Sequence, residues 1–309
     1  MDRFVADPGW GHWIVAYFYL GGIAAGAFAA SSLIRLFGVD DDRRLARIGD
    51  LMATPLVALC GAFLVVDLGR PERFWHMLIQ SETFRPMFKW WSPMSSGSWG
   101  LSAFGAFAGL AFASAVADRG WLGPGRSRGI LGVFERGPVG KIVAAGGLLS
   151  ALYLGSYTGS LLTATNQPGW ARSTWLSPLF LASSMSTGAA ALGLAGMFTR
   201  ADEHAIRRVD TLDGLSALLE LAMLAAFASS FDRREWVGIF STMPGALIPA
   251  FVVPVGLVVP LILRRSHGRR AQVAAGLLIL AGGLALRYAV VALPGPILAA
   301  AHTHRGIHR

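Results

Sequence analysis

Four side chains able to hydrogen-bond or move a proton lie at similar depth in otherwise apolar stretches: Tyr17, Asp67, Tyr157 and Arg287. A helix rises ~1.5 Å per residue, so distance from its end gives depth. Tyr17 lies about two turns inside the first stretch, and Asp67 closes the second. Tyr157 falls near the end of the fourth and Arg287 near the end of the eighth. Threaded alternately through a bilayer, all four arrive in the outer third. Such groups are costly in lipid and mark function; together they would form a pocket that bonds a polar ligand and passes protons. Trp13, four residues before Tyr17, shares its helical face and supplies an aromatic wall, with His12 beside it at the edge. Plainer readings stand next to this one. Tyrosines populate membrane interfaces, Arg287 can snorkel outward, and Asp67 can cap its helix or pair with Arg70 or Arg73.

Glu220 lies near the middle of the sixth stretch, with Asp213 seven residues earlier on nearly the same face and Asp210 at the boundary. A carboxyl group at that depth either relays protons or makes a structural hydrogen bond between helices. The histidines exclude one cofactor. His12 and His76 sit at the outer edge, His204 and His267 in inner loops, and His302, His304 and His308 in the terminal HTHRGIHR. No pair is placed inside facing helices for bis-histidine haem. The single Cys60 stands in an apolar run without a CxxC motif, which fits packing rather than a metal site.

The elements that must position these groups are membrane helices. Of 309 residues 54% are hydrophobic and 15% charged, whereas soluble domains carry about 25% charged residues. Stretches long enough to cross a ~30 Å hydrocarbon core lie near 12–37, 51–67, 97–117, 139–162, 175–198, 209–231, 245–263 and 271–293. The second is short and can continue past the membrane edge. The first is too long for a signal-peptide core and is expected to be retained. The formal charge is +9, yet the basic residues sit in short loops, a pattern of topology rather than of nucleic-acid binding. Sixteen fall on one side and ten on the other, with Arg287 alone left inside a span. The positive-inside rule therefore sets both termini and the 67–96 connector outside. The Gly/Arg-rich stretch from Arg119 to Arg136 lacks a phosphate-loop pattern.

That connector, Val66 to Trp99, is no ordinary loop. Asp67, Arg70, Glu72 and Arg73 alternate in sign as a helix leaves the bilayer. Phe74, Trp75, Phe84, Phe88, Trp90 and Trp91 follow, broken by Pro71, Pro86 and Pro93. Charge and aromatic bulk on broken backbone fit a docking surface or the rim of a ligand site; an aromatic belt with snorkelling arginines is the plainer alternative.

Five segments, GWGHWIVAYFYLGGIAAGAF, VVDLGRPERFWHML, SPMSSGSWGL, SYTGSLLTATNQPGW and GGLALRYAVV, resemble the NrfD/PsrC family, membrane subunits of the polysulfide reductase type. The resemblance implies an all-α integral membrane fold of eight transmembrane helices in two four-helix bundles, 1–162 and 175–293, followed by a tail, 294–309. It implies a quinone or menaquinone site at the outer face, no haem and no metal of its own. Its expected partners are membrane lipid, a ferredoxin-like [4Fe–4S] subunit and a molybdopterin catalytic subunit, with the iron–sulfur clusters and molybdopterin held only there. The setting is a bacterial or archaeal cytoplasmic membrane. Tyr157 matches the family's quinone-binding tyrosine. Tyr17 stands where members carry histidine, a departure for which His12 is a candidate substitute. Asp67 matches an acidic position and would accept quinol protons, with Trp13 packing on the ring. Glu220 and Arg287 fall at charged positions of a possible proton path. A different class remains open: a secondary transporter using Glu220, Asp213 and Arg287, its seventh helix broken by Pro249, Pro254 and Pro260.

Overall fold

The computed structural model describes residues 9–39, 42–119, 131–266, 268–295 and 297, without the side chain of Arg234. Arg3, residues 120–130 of the basic stretch, His267 and the tail from 298 onward, with its histidines, lie outside the described residues. Eight helices are long and apolar enough to cross a membrane. They are α1 (His12–Phe37), α2 (Arg43–Asp67), α3 (Pro93–Asp118), α4 (Gly137–Thr163), α5 (Leu176–Phe198), α6 (Glu203–Ser229), α7 (Met243–Leu263) and α8 (Arg269–Ala292). Among the described residues the strand-like pairing is one isolated bridge, Ile79 to Pro86.

Where helix ends differ from the hydropathy boundaries, local bonds explain the shift. α2 begins eight residues early because its polar first turns are buried at Leu45, Ala46, Ile48 and Asp50, with Asp50 paired to Arg35 of α1. α3 begins at Pro93, a residue suited to a first turn, after the Ser92 hydroxyl accepts the Ser95 amide at 3.4 Å. α6 begins at Glu203 because Asp202 accepts the amides of His204 and Ala205 at 2.8 and 3.1 Å. The same amides, that of Ala205 foremost, hold the exposed Asp202 carboxyl below the usual carboxylate range.

The core sits between α1 and α5. The apolar stretch of each is 78% buried, against 33% for α2 and α6, which face outward. α1 packs on α2, α4 and α5, while α5 packs on α1, α4, α6 and α8. Helix packing therefore runs across the midline between the first four helices and the last four. Small residues allow the central crossing. A side chain on Gly26 would strike the Ser184 carbonyl and the Gly188 backbone, and Gly188 lies against the Ala27 amide in return.

α7 departs from α-helical geometry. Ile248–Val258 is π-helical, with Pro249 and Pro254 inside it. Each proline lacks an amide hydrogen and crowds the carbonyl four residues back, so the turns widen. Gly256 and Gly282 then let α7 and α8 meet backbone to backbone.

On the face opposite the 67–96 connector, basic residues are anchored by acids. Arg47 reaches Asp118 at 2.6 Å and Glu135 at 2.8 Å, Arg208 pairs with Asp42, and Arg264 with Asp213. The connector is also built rather than loose. It runs through a 3₁₀ helix, Pro71–Met77. Its return is tied to α3 by Ser95, which donates to the Met87 carbonyl at 3.1 Å, and by the Trp99 indole, which donates to the same carbonyl at 3.0 Å.

Candidate functional site

At the connector face, α1 to α4 enclose a cavity of about 480 Å³, within the ~300–1,000 Å³ range of small-molecule sites. Tyr17, Asp67 and Tyr157 all line it. Three of the polar residues singled out by depth are thus brought together from three helices. Tyr17 and Tyr157 are only 3% and 7% exposed. Neither hydroxyl has a hydrogen-bond partner among the described residues. Both rings line the cavity, so their unpartnered hydroxyls are placed to bond something inside it. Asp67 is exposed at the end of α2 and makes no ion pair or hydrogen bond among the described residues, with Arg70, Arg73 or any other group.

The two tyrosines are held differently. Tyr17 is fixed from below: the Cys60 thiol donates to its carbonyl at 3.6 Å, and its ring lies near Gly21. Tyr157 stacks on Tyr153 at 5.8 Å between ring centres. Its phenol lies directly over Gly97 of α3, where any side chain would overlap the ring. The remaining walls are apolar: Trp10, Ile14 and Phe18 with the α1 face, Leu64 and Leu68 from α2, and Phe74, Met77 and Leu78 from the connector. Among the described residues no three His, Cys, Asp or Glu side chains cluster as a metal site.

The other candidates lie elsewhere. Trp13 is 49% exposed and packs its ring on Phe63 at 5.4 Å, on the outer flank of α1 and α2. His12 is exposed at the first residue of α1 and does not line the cavity. The aromatic wall is instead Trp10, which precedes α1 and lines the cavity; it rests on the fully buried Trp170 at 5.1 Å. Trp170, from the α4–α5 connection, donates to the Val290 carbonyl at 2.6 Å and ties the site to α8.

Arg287 neither lines this cavity nor snorkels outward. It is buried behind α1, where its Nε donates to the Phe18 carbonyl at 3.0 Å. Its Nη1 donates to the Ser183 hydroxyl at 2.9 Å and the Gly283 carbonyl at 3.0 Å, and its Nη2 to the Ser184 hydroxyl at 3.1 Å. Glu220, buried on α6, lies beside Ser183 and faces the guanidinium. Ser186 then donates to Asp213 at 2.8 Å, and Arg264 ends the series at the opposite face. A polar thread thus runs along α5 from Arg264 to the Phe18 carbonyl, one residue from Tyr17.

Comparison of the sequence with known proteins finds similarity to reductase subunits. The family described as polysulphide reductase, NrfD, matches residues 6–297. One of the chains of the polysulfide reductase of Wolinella succinogenes is 26% identical over 320 aligned positions, 91% of this protein and 92% of that one. One of the subunits of the selenate reductase of Mesobacillus selenatarsenatis is 34% identical over 79 residues, 26% of this protein and 18% of that one.

Proposed function

We propose, since the chain belongs to the NrfD polysulphide reductase family, that it is the quinone-reactive membrane subunit of a multisubunit oxidoreductase. The observation that carries this reading is that the two buried rings of Tyr17 and Tyr157 open unbonded hydroxyls into one apolar-walled cavity, with Asp67 at its edge. A quinone held there would supply two-electron, two-proton chemistry. The protein's part is to bond the ring oxygens through the two phenols and to hold the ring against Trp10. The Asp67 carboxylate takes up or returns protons at the surface end. Tyr17 fills the role that histidine serves in other members, so His12 is not needed at the ring. The thread from Arg287 through Glu220 to Asp213 is the candidate proton path to the opposite face. The positive-inside rule sets the connector outside the bacterial or archaeal cytoplasmic membrane, where an iron–sulfur subunit would meet it and link it to a molybdopterin subunit.

The transporter reading is the weaker. Its three ligands are already committed, Arg287 to Ser183, Glu220 to the Arg287 guanidinium it faces, and Asp213 to Ser186 and Arg264. The test uses the assembled complex. Asp67→Asn should cut quinone-linked turnover by about 10²-fold or more, the scale of a lost acid–base group, while quinone affinity and assembly hold. Tyr157→Phe should weaken quinone binding about three- to tenfold, the worth of one hydrogen bond. Normal turnover and affinity in both variants would remove this cavity from the chemistry.

A further inference from the structure

The cavity is buried at Tyr17 and Tyr157 but reaches the protein's outer flank, and its walls differ from seam to seam. Between α1 and α2 the rings of Trp13 and Phe63 meet at 5.4 Å. Between α3 and α4 the Tyr153 ring lies on Gly100 and stacks on Tyr157. The α1–α4 side is backed by α5, which packs on both helices. The seam between α2 and α3 is unlike these. It is lined by Gly61 and Val65 on one side and Ser98 and Ser102 on the other.

These four residues leave a slot. A side chain built on Gly61 would meet nothing within 4 Å, so this glycine is not there for helix packing, in contrast to Gly26. Ser98 and Ser102 turn their hydroxyls back onto their own helix, donating to the Met94 and Ser98 carbonyls at 2.9 and 2.8 Å. They therefore present little bulk and no unmet polar demand. Ser102 is exposed, and Gly61, Val65 and Ser98 are partly so. Below, Val57 and Phe104 close the helices into a packed core. Above, Phe74, Met77 and Met94 roof the cavity with apolar bulk. Gly61 lies about 9 Å and Ser102 about 14 Å along their helices from the connector face, inside the hydrocarbon of one leaflet.

We propose that the α2–α3 slot is the portal through which the polyprenyl tail of a membrane quinone leaves the site, so that Gly61 and Ser102 select for tailed substrates from the bilayer. This rests on the quinone reading of the cavity. An apolar tail stays in hydrocarbon while the ring reaches the two phenols, and the residues that α2 and α3 give to the cavity lining at this seam include no aromatic ring.

The experiment measures affinity directly. The full complex in lipid nanodiscs is titrated with menaquinone and with tail-less menadione, following quenching of tryptophan fluorescence, with turnover on each as a second readout. Gly61→Leu puts bulk into the slot at a position where an added Cβ meets no neighbour within 4 Å. It should weaken menaquinone binding about tenfold or more, the scale of a pocket mismatch of a methylene or more, and leave menadione unchanged. Ser102→Leu, at an exposed position that burdens folding least, should give the same split. Equal effects on both quinones, or none on either, overturn the portal. Failure of the unaltered complex to bind any quinone would sink the quinone reading itself instead.

Discussion

Tyr157 depends on a residue that carries no side chain. Its phenol occupies the space over Gly97, so Gly97→Ala must push the ring away from the cavity or part α3 from α4. Gly97 lines the cavity and also sets where the Tyr157 ring and its hydroxyl sit. Gly97→Ala should weaken quinone binding about as much as Tyr157→Phe, roughly three- to tenfold. The double variant should be no worse than either alone, because both remove one interaction. Additive losses in a fluorescence titration would separate the two and assign Gly97 to packing. Tyr17, Asp67 and Tyr157 were legible in the sequence because depth follows from counting residues. Which tryptophan walls the site was not. Trp13 shares the Tyr17 face at a spacing of four whereas Trp10 precedes the helix, and only the folded chain turns Trp13 onto Phe63 and Trp10 into the cavity. Gly97 gave no signal beyond lying in the SPMSSGSW segment, since a glycine's role is set by what lies across from it.

Arg287 shows the same limit for an element. Counting placed it near the end of α8, level with Tyr157, but depth carries no azimuth, and α8 turns this side chain toward α5 and the back of α1. There it is 1% exposed with four hydrogen bonds and Glu220 opposite. A buried charge so bonded is costly to leave half-made. Arg287→Met should therefore destabilise the membrane subunit by about 3–5 kcal/mol, leaving Glu220 without its counter-charge. Thermal unfolding of the purified complex in detergent checks this, and an unchanged midpoint would mean the network adds no stability. Turnover measured on the same samples below the midpoint separates stability from proton transfer: loss of turnover in folded Glu220→Gln supports the path. The broken α7 was legible from Pro249, Pro254 and Pro260. That the break takes the form of π-helical turns, letting Gly256 meet Gly282, was not, because it depends on how closely α8 approaches.

Across the whole molecule, the 67–96 connector faces two ways. Its inner side, Phe74, Met77 and Leu78, roofs the cavity. Its outer side presents Phe84, Trp90 and Trp91 at 74, 76 and 65% exposure, and the same connector holds a shallow depression of about 500 Å³ lined by Arg70, Arg73 and His76. Leu68 and Met77 line both hollows, so a partner seated in the outer one lies a side chain's width from the inner one. On the proposed function, electron transfer to an iron–sulfur subunit would need that closeness. Large exposed aromatics on one connector with arginines that make no ion pair among the described residues have the make-up of an interface centre with a charged rim. Trp90→Ala with Trp91→Ala should weaken retention of the iron–sulfur subunit by about 2 kcal/mol or more, the scale of an interface hot spot. Quinone affinity should stay intact, because neither indole lines the cavity. Arg70→Gln with Arg73→Gln should instead reduce the salt sensitivity of association, since raising ionic strength from ~0.15 to ~1 M shortens screening from ~8 to ~3 Å. Co-purification of the complex across a salt series reads both effects. Undiminished retention in the tryptophan variant, at every salt concentration, would mean that the partner seats elsewhere and that these rings serve the lipid interface.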